Sequence, residues 1–109
     1  MLGIMKNHIE KVMGHFGNKV YAWDVVNEAF MTDNDNGSGN ARMRNSVFYS
    51  QIGPDYIELA FKIAREYADN HNMKDMKLYY NDYSIDADND KSRFARQKVK
   101  EWVENGVPI

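Results

Sequence analysis

The stretch WDVVNEAF, residues 23–30, decides how this chain is read. Across KVYAWDVV (19–26) apolar, β-branched and aromatic residues run almost unbroken. That pattern fits a strand buried on both faces, as in a parallel sheet covered by helices. Such a strand ordinarily ends in a turn, yet this one ends in Asn27 and Glu28, two polar side chains side by side. A second segment, MKLYYNDYSI (76–85), repeats the arrangement, an apolar strand ending in Asn81, Asp82 and Tyr83.

Helical patterns surround both segments. Met5, Ile9, Val12, Met13 and Phe16 have helical spacing over residues 2–16, with Gly17-Asn18 as the stop, and Met5, Met13 and Phe16 are expected in the core. Gly53-Pro54-Asp55 predicts another helix start, with Pro at the first helical position and an apolar face from Tyr56 to Ala68 that includes Tyr67. Asp90 is the expected cap of a third helix, whose inner face is Phe94, Ala95, Val99, Trp102 and Val103 and whose stop is Gly106. Residues 31–46, rich in Asn, Asp and Gly, read as one long loop. The order is therefore helix, strand, loop, helix, strand, helix, which implies parallel strands joined by right-handed crossovers. Two parallel strands cannot bury both their faces, so the expected fold is an α/β segment of a (β/α)8 barrel, which needs roughly 250 residues in full.

Composition narrows the function. The 109 residues carry a formal net charge of −2 and no long basic block, which argues against nucleic acid and anionic membrane as partners. There is no cysteine for a disulfide framework or a thiolate metal site. No run approaches membrane-spanning length, and MLGIMKNH lacks the long apolar core of a signal peptide.

In α/β barrels the reactive side chains sit at the C-terminal ends of strands, where Asn27, Glu28, Asn81, Asp82 and Tyr83 all fall. A carboxyl held above Val25 and Val26 is expected to be desolvated, raising its pKa towards the range of a general acid. An adjacent amide can bind a substrate hydroxyl without adding charge, and Tyr83 offers a ring face with a polar tip. The plainer reading of each pair is a turn followed by a solvated helix start. Two such endings on consecutive strands favour the site.

KVYAWDVVNEAF, RNSVFYSQIGPDYIELAFKIARE, LYYNDYSID and KEWVENGVPI together resemble the middle of a glycoside hydrolase family 10 endo-β-1,4-xylanase. The resemblance spans residues 1–109 as a partial catalytic domain, from the helix before the fourth barrel strand to the helix after the fifth. It implies that Glu28 is the acid/base carboxylate and that Asn27 binds the 2-hydroxyl of the sugar at the cleavage point. It further implies that Asn81 and Tyr83 line the cleft, with Tyr83 near the leaving-group side, and that the loop 31–46 is one cleft wall. Ser84 stands where the family often has Asn. The substrate implied is xylan or a xylo-oligosaccharide, with no cofactor and no metal, and secretion is the family's habit. A retaining enzyme holds two carboxylates about 5–5.5 Å apart. The family's nucleophile, on the seventh strand, has no counterpart in this sequence, nor has its His-bearing third strand, so the chain alone is expected to be inactive. Its expected partners are the remaining barrel segments or other copies of the chain.

Other signals carry less. Asp33, Asp35 and Gly37 approximate a calcium loop, but its twelfth position would be Arg44. Asp86, Asp88 and Asp90 alternate suitably, yet Lys91 replaces the turn glycine. His8 and His15 lie two turns apart, too far for paired ligands, and His71 suits a helix C-terminus. Trp102 is expected to pack rather than stack on sugar. Two alternatives stand beside the enzyme reading: a self-associating, non-catalytic fragment with unpaired strand edges, and a carbohydrate-binding module with Tyr83 and Trp23 as its platform.

Overall fold

Three fifteen-residue helices and a two-stranded parallel sheet make up most of the computed structural model, which describes residues 1–109. In chain order the elements are α1 (Leu2–Phe16), β1 (Ala22–Asn27), β2 (Phe30–Met31), β3 (Arg42–Met43), α2 (Val47–Ile52), α3 (Tyr56–Asn70), β4 (Lys77–Asn81) and α4 (Asp90–Glu104). β1 pairs in parallel with β4, and β2 pairs antiparallel with β3. The two expected strands are thus present and run side by side in the same direction.

Burial explains the packing. α3 presents Tyr56, Ile57, Ala60, Phe61, Ala64 and Ala68 on one stripe, and Ile57 and Phe61 are completely enclosed. Each such side chain contributes about 1.5–3 kcal/mol relative to exposure. Phe30 is equally enclosed, its ring 5.1 Å from both Tyr80 and Phe94 and 5.8 Å from Trp102. Trp102 is therefore a packing residue that docks α4 against Phe30 of β2 and Tyr80 of β4. No helix is long and apolar enough to cross a membrane.

Several boundaries and faces differ from the sequence expectation. Phe16 and Val103 were expected inside but are exposed, at 44% and 59%. Phe16 closes α1 with its ring against Trp23 instead, and Val103 falls about 100° past Trp102, outside the buried stripe. Asn89, not Asp90, caps α4: its side chain accepts from the Ser92 N–H, and the Ser92 hydroxyl accepts from the Asn89 N–H. Pro54 lies in the turn ahead of α3, whose cap is Asp55. The strands are shorter than the apolar runs, ending at Asn27 and Asn81.

The loop 31–46 contains unpredicted structure. β2 and β3 bracket it as a hairpin, and the short α2 follows, with Ser46 Oγ accepting the Tyr49 N–H at 3.1 Å. Gly37 and Gly39 are required between them. Both have positive φ, 91° and 108°, and a Cβ would lie 2.5 Å from the Asn89 amide and 2.6 Å from Asp33 Cβ respectively.

Candidate active site

A bulge in β1 explains its polar ending. Asp24 pairs with Tyr79 and Val26 with the next residue, Tyr80, so Val25 is an extra residue without a partner. Side chains alternate along a strand, and one inserted residue moves everything beyond it to the opposite face. Val26 consequently joins the covered face with Trp23 and Leu78. Asn27 joins the uncovered face with Asp24 and Tyr79, opposite Asn81. Bulges of this kind are common beside active sites, where they re-aim a side chain.

Glu28 follows at φ 53°, a left-handed conformation that costs a non-glycine residue roughly 1–2 kcal/mol. Strained backbone of this sort persists only where its surroundings over-determine it. Here the Glu28 N–H donates to the Asn81 carbonyl at 2.8 Å, and the Glu28 carbonyl accepts from Arg44 Nε at 3.0 Å. The turn then sends Ala29 and Phe30 into the core, with the Ala29 N–H donating to the Tyr80 hydroxyl at 3.0 Å. The Glu28 side chain itself is exposed, so the desolvation expected from Val25 and Val26 is not supplied within these residues.

Below the rim lies a polar hub centred on Asp82, whose side chain is fully buried. Its carboxylate accepts from Lys91 Nζ at 2.7 Å, from the Tyr83 N–H at 2.8 Å, from the Phe30 N–H at 3.3 Å and from the Tyr80 hydroxyl. Burial, reinforced by the neighbouring Asp82 carboxylate, pushes the Tyr80 hydroxyl far above its ordinary value of 10.0 and keeps it a donor. Lys91, also buried, donates in addition to the Tyr83 carbonyl at 2.9 Å, and its ammonium lies over the Tyr83 ring.

Tyr83 is therefore held at its hydroxyl and over one ring face. Its hydroxyl accepts from Arg44 Nη2 at 3.0 Å, and Lys91 covers one ring face. The hydrogen bond to Tyr83 raises the Arg44 pKa above the usual arginine value, and the charges of Asp82 and Glu28 add to the effect. Asn27, Glu28, Asn81 and Tyr83 are thus assembled on two adjacent strand ends. Trp23 is half-buried against Phe16, with its Nε1 enclosed and unpartnered, so it forms no exposed platform with Tyr83. Arg44, Lys91, Tyr80 and the full part played by Asp82 went unrecognised in the sequence.

The long loop is stitched to the segment after β4. Ser84, at φ 55°, donates its hydroxyl to the Asp35 carbonyl at 2.6 Å, and the Lys91 N–H donates to the Gly37 carbonyl at 2.9 Å. Asp90 accepts the Gly39 N–H at 2.8 Å, while Asp33 accepts the Asn40 N–H at 2.9 Å and pairs with Arg42. These backbone N–H groups, followed by Arg93 and Arg42, hold the two carboxyls below the ordinary 3.8. A depressed carboxyl contributes stability above its unfolded pKa and loses it as the pH falls through the folded one. The loop should accordingly stay in place at neutral pH and loosen only in stronger acid. In an NMR titration, the Gly39 and Asn40 amide shifts should change with midpoints under 3.8; midpoints at or above that value would contradict these contacts.

An open groove of about 1160 Å³ lies elsewhere, along the free edge of β4 between Tyr79, Ile85, Val99 and Ile109.

Comparison with known proteins agrees with this layout. The family model for glycosyl hydrolase family 10 matches residues 1–109. Endo-1,4-beta-xylanase 1 of Humicola insolens is 44% identical over 97% of this chain and 22% of its own length. Endo-1,4-beta-xylanase A of Thermotoga maritima is 54% identical over 94% of this chain and 9% of its own. Among solved structures, the Penicillium canescens endo-1,4-beta-xylanase XylE superposes with a TM-score of 0.84 at 42% identity, covering 99% of this chain and 30% of that one. Xylanase 10B of Thermotoga petrophila, in complex with xylobiose, gives 0.78 at 41% identity over 98% and 29%. The chain thus spans less than a third of these relatives, whose structures are TIM barrels, and its two parallel strands with their helices are a segment of that barrel. From the whole-chain match and the parallel strand ends in register, we conclude that this chain belongs to glycosyl hydrolase family 10.

Proposed function

We propose that the chain supplies the acid/base half of a retaining endo-1,4-β-xylanase, with Glu28 as proton donor and then general base. In the first step the Glu28 carboxyl protonates the glycosidic oxygen as its bond to the anomeric carbon breaks. A second carboxylate, from outside these residues, attacks that carbon. In the second step Glu28 takes a proton from water as the glycosyl–enzyme bond is cleaved. Asn27, one residue earlier on the uncovered face, hydrogen-bonds the 2-hydroxyl. Asn81 and Tyr83 contact neighbouring sugars, Tyr83 through the ring face that Lys91 leaves free. Xylan is the substrate class, in line with the xylobiose bound by the Thermotoga petrophila relative.

The observation that carries this reading is the register of the sheet: Asn27 pairs with Asn81, and Glu28 follows in a strained turn bonded to the same Asn81 carbonyl. Completion of the barrel would add the walls that desolvate Glu28, and would cover the free edge of β4.

The reading is tested by replacing the matching section of Thermotoga maritima xylanase 10B, 43% identical and similar at a TM-score of 0.79, with residues 1–109. The chimaera should release reducing sugar from xylan while the isolated chain releases none. Hydrolysis by the isolated chain, or a folded but inert chimaera, would count against the proposal.

A further inference from the structure

We propose that Arg44 is a positioning residue for the acid/base: its guanidinium fixes the backbone turn that aims Glu28 and ties that turn to Tyr83 on the neighbouring strand end. The proposal rests on the reading of Glu28 given above. Three acceptors converge on one side chain: the Glu28 carbonyl at 3.0 Å from Nε, the Phe30 carbonyl at 3.4 Å and the Tyr83 hydroxyl at 3.0 Å, both from Nη2. The first is the carbonyl of the left-handed residue itself, the second lies two residues further on, and the third belongs to the loop after β4. Arg44 is itself anchored by its N–H, which donates to the Ala29 carbonyl at 2.7 Å. It is half-buried, and no other side chain donates to the Glu28 carbonyl.

Only a guanidinium can do this. Its N–H groups are fixed in a plane and reach separate acceptors at once, whereas a lysine ammonium is a point charge on a flexible stem. With Arg44 absent, the Glu28 peptide keeps its N–H bond to Asn81 but loses the restraint on its carbonyl. The side chain is then free to leave the angle at which it meets the glycosidic oxygen. A displacement of about 1 Å at a reacting group is enough to cost on the order of a hundredfold in rate.

The chimaeric barrel permits a test that separates aiming from mere structure. Arg44→Lys and Tyr83→Phe are assayed on two aryl β-xylobiosides, one with a phenol leaving group and one with 2,4-dinitrophenol. Phenol needs a proton to depart, and dinitrophenolate does not. For Arg44→Lys, kcat/KM on the phenyl substrate should fall about a hundredfold, and on the dinitrophenyl substrate less than about threefold. Tyr83→Phe, which removes one acceptor of three, should move the ratio in the same direction by less. Rates are expressed per folded molecule, with the folded fraction of each variant measured by circular dichroism, so that incomplete folding does not itself lower either rate. Equal losses on both, or no loss on either, would overturn the proposal. Glu28→Gln is run alongside. If it too shows no leaving-group dependence, the acid/base assignment fails; if it does and Arg44→Lys does not, only the positioning role fails.

Discussion

Glu28→Gln in the completed barrel should lower kcat on xylan by about a thousandfold, within the range that general acid–base catalysis supplies. The amide keeps the size and hydrogen-bonding reach of the carboxyl but can neither deliver a proton to the leaving oxygen nor accept one from water. Both chemical steps suffer, so kcat falls rather than KM alone rising. Stability should hardly change, because the side chain is exposed and the strained turn is held by backbone groups. Surface replacements of that kind usually stay within about 0.5 kcal/mol. Steady-state kinetics on xylan together with a urea titration distinguish the outcomes. A variant that retains more than about a tenth of the activity would mean that another group carries the proton.

Lys91→Met should destabilise the chain by about 3–5 kcal/mol, the typical result of removing one partner of a buried ion pair. Asp82 would remain buried, with three neutral donors and no cation in hydrogen-bond contact. That is a large fraction of the roughly 5–15 kcal/mol that holds a domain together. The usual remedy, replacing both charges with apolar residues, should fail here. Asp82→Leu combined with Lys91→Met would strand the Phe30 and Tyr83 N–H groups and the Tyr80 hydroxyl, each costing about 1–3 kcal/mol when left unpaired in the interior. Urea denaturation followed by circular dichroism measures both variants. A double variant as stable as the unmodified chain would show that the hub is dispensable. Because Lys91 also covers Tyr83, the loss should extend to the site's geometry.

The strands, the long helices and the polar strand ends were legible because they depend on periodicity and on residue type. WDVV and LYY are apolar runs of strand length, and α3 has an unbroken stripe from Tyr56 to Ala68. The placement of Glu28, Asn27, Asn81 and Tyr83 at the strand ends was legible for the same reason, as polar residues closing apolar runs. The hairpin of β2 and β3 escaped because two-residue strands have no alternation to detect. The bulge escaped because it exists only in the pairing with β4, which the sequence of β1 does not contain.

Arg44 and Lys91 are the instructive misses. Each was weighed only as the wrong residue for a calcium loop, at the twelfth position and at the turn glycine respectively. Their partners lie far along the chain, Tyr83 for Arg44 and Asp82 for Lys91, and no short-range pattern links them. Lys91 stands on the first turn of α4, where a lysine ordinarily reads as solvent-exposed. The fold buries it because Asp82 arrives from the end of β4 with its charge already enclosed. Asn89 rather than Asp90 became the cap for a related reason: Asp90 is engaged by the Gly39 N–H, a contact that depends on the loop folding back, and by Arg93 one turn further along α4.

The most direct measurement is the separation, in a crystal structure of the chimaeric barrel, between the Glu28 carboxyl and the carboxylate that faces it from the remainder of the ring. Retention of configuration requires about 5–5.5 Å between them, with both carboxyls opening onto the cleft bordered by Tyr83. A gap beyond about 6.5 Å, the inverting geometry, or a Glu28 side chain turned away from Tyr83, would contradict the assignment of this strand end as the proton-transferring half of the site.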